Sequence, residues 1–208
     1  MKRRTTKPRI KLIGITGSIG TGKSTVARLF GRLGAVVLDA DAVTHALMKP
    51  GTAVSKKIKA RFGPEIFSRD GTINRRALGK IVFSDPKKLK ALTTIIHPAV
   101  HRTILQSVAR LRRRAGLKAV VLDVPLLLES RPSYRVDAVV VAAAPWNTVV
   151  RRVRARSGLP VAEIRRRASF QMPLSEKKKR ADFIVNTAGS LRQTGKQVSS
   201  IWKRITGE

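Results

Sequence analysis

One octapeptide constrains this chain more than any other feature: Gly17-Ser18-Ile19-Gly20-Thr21-Gly22-Lys23-Ser24, which satisfies G-x-x-x-x-G-K-[ST]. It follows a short apolar, β-branched run, Ile10 to Thr16, and leads into a stretch where Val26, Leu29, Phe30 and Leu33 recur at helical spacing before Gly34. Strand, glycine loop, helix is the context that gives the motif meaning. Glycines let the backbone curl so that its N–H groups face inward, and the helix N-terminus adds partial positive charge beneath them. Such a cradle suits the phosphates of a nucleotide. Lys23 is expected to reach the β- and γ-phosphates and the Ser24 hydroxyl to bind Mg2+.

The rest of the chain sets this loop in an α/β frame. Ala35 to Leu38, ending at Asp39-Ala40-Asp41, then Val120 to Leu122, Ala138 to Val141 and Phe183 to Val185 read as buried strands; most are wholly apolar rather than alternating, as in a parallel sheet covered on both faces. Between the Pro50-Gly51 turn and Gly116 the pattern is helical, with breaks expected at Gly63-Pro64, Asp70-Gly71, Ser84-Asp85-Pro86 and His97-Pro98. Helices are also expected over 145–156, 160–171 and 191–205. The fold class is therefore α/β: a three-layer α/β/α fold with a parallel sheet, a phosphate loop after its first strand and a helical insert after its second. Residues 1–9 read as a basic disordered tail and 10–208 as one domain, with its core at 10–49, 117–144 and 181–208, the insert at 50–116 and a further helical segment at 145–180.

Composition narrows the function. The absence of cysteine excludes disulfides, thiolate zinc and a cysteine nucleophile, and three histidines are too few and scattered for a metal cage. The longest apolar run, Ala138 to Trp146, is nine residues, about half of the ~20 a membrane-spanning helix needs. A cytoplasmic monomer that does not engage membranes is expected. With 44 Lys+Arg against 12 Asp+Glu, the formal charge of +32 attracts polyanions, nucleotides and non-specifically nucleic acids among them. Aromatic residues are only 4%, which argues against a stacking platform for single strands. The basic clusters Arg110–Arg114, Arg151–Arg156, Arg165–Arg167 and Lys177–Arg180 read mainly as solvated helix faces.

A phosphate loop does not say what is done with the nucleotide. The N-K-x-D motif of GTPases is absent, and a short chain with a helical insert after its second strand suits a small-molecule kinase, its acceptor lying beyond the strand ends between the loop and the insert. Asp39 and Asp41 follow the second strand. Asp41 is the candidate to orient the acceptor hydroxyl and take its proton, with Asp39 in the metal shell or the turn; helix capping is the structural alternative for either.

Several separated segments together resemble the dephospho-CoA kinase family. They are Thr16 to Thr25, Leu38-Asp39-Ala40-Asp41, Arg75-Arg76-Ala77-Leu78, Ile96-His97-Pro98, Val124-Pro125-Leu126-Leu127-Leu128-Glu129, Gln171-Met172-Pro173 with Lys177, and Ala181-Asp182 with Asn186 and Gly189. The resemblance spans residues 11 to about 205 and implies transfer of phosphate from ATP to the 3′-hydroxyl of dephospho-CoA. It also implies a P-loop kinase fold in which the insert at 50–116 binds substrate on the CoA side and 145–180 is a helical lid that closes over ATP, with Lys23, Arg152, Arg156 and Arg167 around the phosphates. Gly17, Ser18, Ile19, Gly20, Thr21, Gly22, Ser24 and Thr25 would then hold the nucleotide, with Asn186 and Gly189 near its adenine. Thr16, Asp39, Asp41, His97, Leu127 and Glu129 fall on the acceptor side, and Asp123, closing a strand as a Walker B aspartate does, joins Ser24 as a Mg2+ ligand. For His97 a packing role, and for Glu129 a structural one, stay open. The chief departure from the family is the +32 charge. Shikimate kinase also pairs a phosphate loop with two aspartates, but its Gly-Gly loop is missing here, as is the D-G-x-P-R lid motif of nucleoside monophosphate kinases. A basic RNA-linked factor using ATP as a switch is the competitor from another class.

Overall fold

Five short strands rich in Val, Ile and Ala pair in parallel in a computed structural model that describes residues 9–129 and 133–208. They are β1 (Lys11–Thr16), β2 (Val36–Asp39), β3 (Ala119–Asp123), β4 (Ala138–Ala143) and β5 (Phe183–Asn186), in the spatial order β2-β3-β1-β4-β5. The register sets Ile15 beside Asp123, and Asp39 beside Asp123 on the other side. β1 and β3 are neighbours, yet the chain leaves β1 for β2 and leaves β3 for β4, in opposite directions across the sheet. Ligands of open parallel sheets bind outside the carboxyl ends of strands at such a switch.

Period-two alternation places two apolar sets on opposite faces. Ile13, Ile15, Val121, Val140, Ala142 and Val185 pack with Val26, Ala27 and Phe30 of α1 (Lys23–Arg32) and with Val198, Ile201 and Trp202 of α9 (Leu191–Thr206). On the other face Leu12, Val120, Leu122 and Val141 are buried too. Burial on both faces is why these strands are continuously apolar. Each such side chain removed from water contributes about 1.5–3 kcal/mol. Following β4 come α6 (Trp146–Ser157), α7 (Val161–Ser169) and α8 (Leu174–Lys179). α8 was not expected from the sequence; six residues with three consecutive lysines leave no apolar period to read.

The chain divides into two compact units, Met1–Asp39 with Val108–Glu208, and Ala40–Ser107. The second begins ten residues before the expected 50–116 insert, because α2 (Ala40–Leu47) follows β2 without a loop. It continues with α3 (Ala53–Phe62), a 3-10 turn at Pro64–Ile66, α4 (Arg75–Phe83) and most of α5 (Pro86–Leu111). Thr52 and Asn74 cap α3 and α4 by accepting the Ser55 and Ala77 N–H groups. The break expected at His97-Pro98 does not occur, since α5 runs through Pro98. An interior proline costs about 3 kcal/mol, but Ile96, Val100, Ile104 and Val108 form one buried stripe spanning it, and four such side chains outweigh that cost. The expected tail lies outside the described residues except for Arg9, whose guanidinium pairs with Asp137 at 3.1 Å.

Candidate active site

The loop between β1 and α1 has the backbone its glycines allow. Gly20 and Gly22 have φ of 72° and 82°, left-handed values that a side chain would strain. At Gly17 the constraint is space, because a Cβ there would stand 2.5 Å from Thr21 Oγ1 and 2.6 Å from the Ala142 carbonyl oxygen. Gly22 is the N-cap of α1 and supplies no side-chain acceptor, so the first turn of that helix presents its amides without a capping side chain. That is the arrangement an anion requires. The loop is braced from below: the Thr21 hydroxyl donates to the Ser18 carbonyl at 2.8 Å, and the Thr21 carbonyl accepts from the buried Thr187 hydroxyl at 2.7 Å. Thr25 donates its N–H to the Gly22 carbonyl and already belongs to the helix.

Lys23 leads α1, and its Nζ donates to Asp123 Oδ1 at 2.6 Å. Asp123 ends β3, is 3% exposed, and is in register with Asp39, which ends β2 and is exposed. Ser24, next along, is exposed. A hydroxyl and carboxylates are hard oxygen donors of the kind Mg2+ takes together with substrate phosphates, so the residues expected to hold that ion suit it chemically. Among the described residues no group of three or more His, Cys, Asp or Glu forms an all-protein metal cage.

Of the arginines expected around the phosphates, Arg152 is fixed against the loop. Its guanidinium donates through Nη1 to Thr187 Oγ1 at 3.1 Å and through Nη2 to the Thr187 carbonyl, and Nη1 lies 3.5 Å from where a Gly22 Cβ would be. Arg156, one turn further along α6, is exposed. Arg167 is held on its own helix by Glu163 at 2.9 Å, and Arg166 by the same carboxylate at 2.8 Å. Those two bonds pull the Glu163 carboxyl down to about 2. Asn186 ends β5, its side-chain oxygen accepting from Ala188 N–H. Gly189 makes room for Gln193, whose Oε1 would lie 2.2 Å from a Cβ there and which closes the capping box of α9 with Ser190.

Beneath the loop lies a cluster that joins Thr16 and Glu129, expected on the acceptor side, to Lys177 and Gln171, which had no assigned role. Lys177 of α8 is fully buried; its Nζ donates to Thr16 Oγ1 at 3.2 Å and the Pro125 carbonyl at 2.8 Å and pairs with Glu129 Oε1 at 2.9 Å. Burial chiefly holds its ammonium below the ordinary lysine value; Lys23 nearby pushes the same way and Glu129 opposes. Thr16 also donates to the Pro125 carbonyl at 2.9 Å. Glu129 accepts Met172 N–H at 2.9 Å, and Gln171 Oε1 accepts Ile19 N–H at 3.0 Å. Leu127, expected on the acceptor side, is buried with its methyls over Gly14. Thr187 carried no sequence signal, whereas Gln171 and Lys177 stood in a motif without an assigned role.

In the second unit, Asp41 occupies the first turn of α2, where the helix dipole favours its charge. It therefore lies inside the helix rather than at its cap. His97 is an exposed residue of α5.

The profile of the family described as dephospho-CoA kinase matches residues 11–193. A dephospho-CoA kinase of Symbiobacterium thermophilum is 46% identical over 198 residues, covering 95% of this chain and 82% of the relative. One from Geobacter sulfurreducens is 40% identical over 195 residues, covering 94% and 98%. Among solved structures, a protein of Thermus thermophilus superposes with a TM-score of 0.81 at 39% identity over 96% of this chain and all of that one. Dephospho-CoA kinase from Campylobacter jejuni superposes with 0.63 at 25% identity, covering 95% and 98%. A shikimate kinase from Acinetobacter baumannii, at 15% identity and a TM-score of 0.53, shares the fold alone.

Proposed function

The chain belongs to the dephospho-CoA kinase family, and on that premise we propose which of its residues carry phosphate from ATP to dephospho-CoA. The activity is that of a small-molecule kinase, the phosphorylation of dephospho-CoA to coenzyme A that completes the cofactor's synthesis. The amides of Gly17 to Thr25 bind the ATP phosphates, and Lys23 turns from Asp123 to the β- and γ-phosphates when they arrive. Asp41 orients the 3′-hydroxyl of dephospho-CoA. That oxygen forms the new bond to the γ-phosphorus, the bond to the departing ADP oxygen breaks, and the hydroxyl proton passes to the Asp41 carboxylate. Asp39 supports the metal shell or the turn.

Ser24 and Asp123 would hold Mg2+, which would supply neutralising charge at the phosphates. Arg152 stabilises charge on the transferring group from its place beside Gly22, with Arg156 and Arg167 joining when 145–180 closes. Asn186 and Gly189 lie toward adenine, while Thr16, His97, Leu127 and Glu129 serve the acceptor side. The enzyme works as a cytoplasmic monomer, where ATP is available. Its +32 charge adds a non-specific, salt-sensitive attraction for nucleic acids.

The observation that carries this reading is the Lys23–Asp123 pair at the mouth of an uncapped glycine loop, at the switch between β1 and β3. Its test is ADP release from ATP and Mg2+ with dephospho-CoA as acceptor and shikimate and AMP as controls. Turnover with dephospho-CoA alone, lost in Lys23→Ala and Asp41→Asn, is expected. Turnover unchanged in Asp41→Asn would remove that residue's assigned role, and ATP binding without turnover would remove the reaction.

A further inference from the structure

We propose that Lys177 is a positioning residue of the phosphate loop, its buried ammonium tying the end of β1 to the turn after β3 while Gln171, in the same segment, anchors the loop at Ile19. The inference deepens the kinase reading and rests on it for the reaction, though not for nucleotide binding.

The Lys177 ammonium meets three oxygens from two pieces of chain: it donates to Thr16 Oγ1 at the end of β1 and to the Pro125 carbonyl in the turn after β3, and pairs with Glu129 Oε1 of that same turn. Thr16 is the last residue before Gly17, and Pro125 and Glu129 follow the strand that delivers Asp123. One side chain thereby fixes the separation of the two strand ends that carry the loop and the carboxylate partner of Lys23. The segment leading to Lys177 reaches the loop a second time, because Gln171 Oε1 takes the Ile19 N–H, and Met172 N–H bonds the carboxylate oxygen that Lys177 uses. Glu129 Oε2, also buried, meets no partner among the described residues, so the carboxylate is held from the Lys177 side.

A fully buried ammonium is a costly way to fill a core that Met would fill without charge. Its position explains the choice. A hydrophobic residue packs α8 equally well but bonds none of three oxygens, leaving Thr16 and the turn to settle independently. Misplacing a phosphate contact by an ångström is enough to cost an enzyme about a hundredfold.

The experiment separates positioning from packing. Lys177→Met leaves Glu129 without its cation, so Lys177→Met/Glu129→Leu, which removes both charges at similar volume, is compared with it and with Gln171→Leu. Thermal unfolding reports the fold, and calorimetric titration with MgATP and steady-state kinetics report the site. The double variant is expected to regain the melting temperature lost by Lys177→Met, yet to bind MgATP between about ten- and a hundredfold more weakly than wild type. Its kcat should fall as well. Gln171→Leu is expected to melt like wild type and still bind MgATP more weakly. Affinity and kcat returning to wild type along with stability in the double variant, or wild-type affinity in Gln171→Leu, would overturn the proposal; should the double variant fail to fold, Gln171→Leu decides. A wild type that binds MgATP but does not phosphorylate dephospho-CoA would defeat the kinase reading and leave the affinity comparison to judge Lys177.

Discussion

Beneath the phosphate loop, Lys23 and Lys177 meet Asp123 and Glu129 with side chains 13%, 0%, 3% and 21% exposed; on α7, Arg166 and Arg167 meet Glu163 with the two guanidiniums 51% and 52% exposed. The distances are alike, 2.6–2.9 Å in all four pairs. The difference is solvent. Water screens the α7 pairs and keeps their contribution small. Under the loop the cations and Asp123 are largely withdrawn from water, so each partner makes the other tolerable and removing one strands a charge. Two members of the basic clusters, Arg152 and Lys177, turn inward from otherwise exposed faces, and both brace the loop.

The comparison breaks first at Lys23. Lys23→Ala removes a phosphate contact and leaves Asp123 buried with its charge; kcat should fall by roughly 10²- to 10³-fold, and a wild-type rate in the coupled ADP assay would contradict it. Lys177→Met is expected to lose about 3 kcal/mol of stability in urea unfolding, and a loss indistinguishable from that of an exposed lysine such as Lys178 would erase the contrast. Thr187→Val keeps the shape but deletes the hydroxyl that serves the Thr21 carbonyl and Arg152. A loss of about 1–3 kcal/mol is expected, with weaker MgATP binding by titration.

The smallest effect belongs to Glu163. Its carboxyl lies at about 2 in the folded protein against an ordinary 4.5, so its stabilisation is present above the ordinary value and is lost as pH falls through about 2. Glu163→Gln should therefore melt only slightly below wild type at pH 7, the gap closing as the pH is lowered through that window. A gap as large as that of Lys177→Met would show that exposure is not what separates the two regions.

Much of the frame was legible because it is local. Gly17 to Ser24, the apolar strands and the periodic helices announce themselves by spacing, and the parallel sheet follows from their alternation. α2 and α8 were missed for opposite reasons: α2 begins where β2 stops, with no turn residue between, and α8 is short and lysine-rich. Pro98 misled, since a proline signals a break unless burial on either side of it outweighs the lost bond. Lys177 misled most, because a lysine followed by three further cations reads as solvated surface.

By itself, then, the sequence determined the loop, its chemistry and the strand–helix alternation around it, since these depend on residues adjacent in the chain. Which cations are structural was decided only by the tertiary structure. Lys177 is 161 residues from Thr16, and Arg152 is 35 from Thr187; whether a charge at such a separation is solvated or sealed depends on what the fold brings over it, and burial is a property of the assembled sheet rather than of any segment.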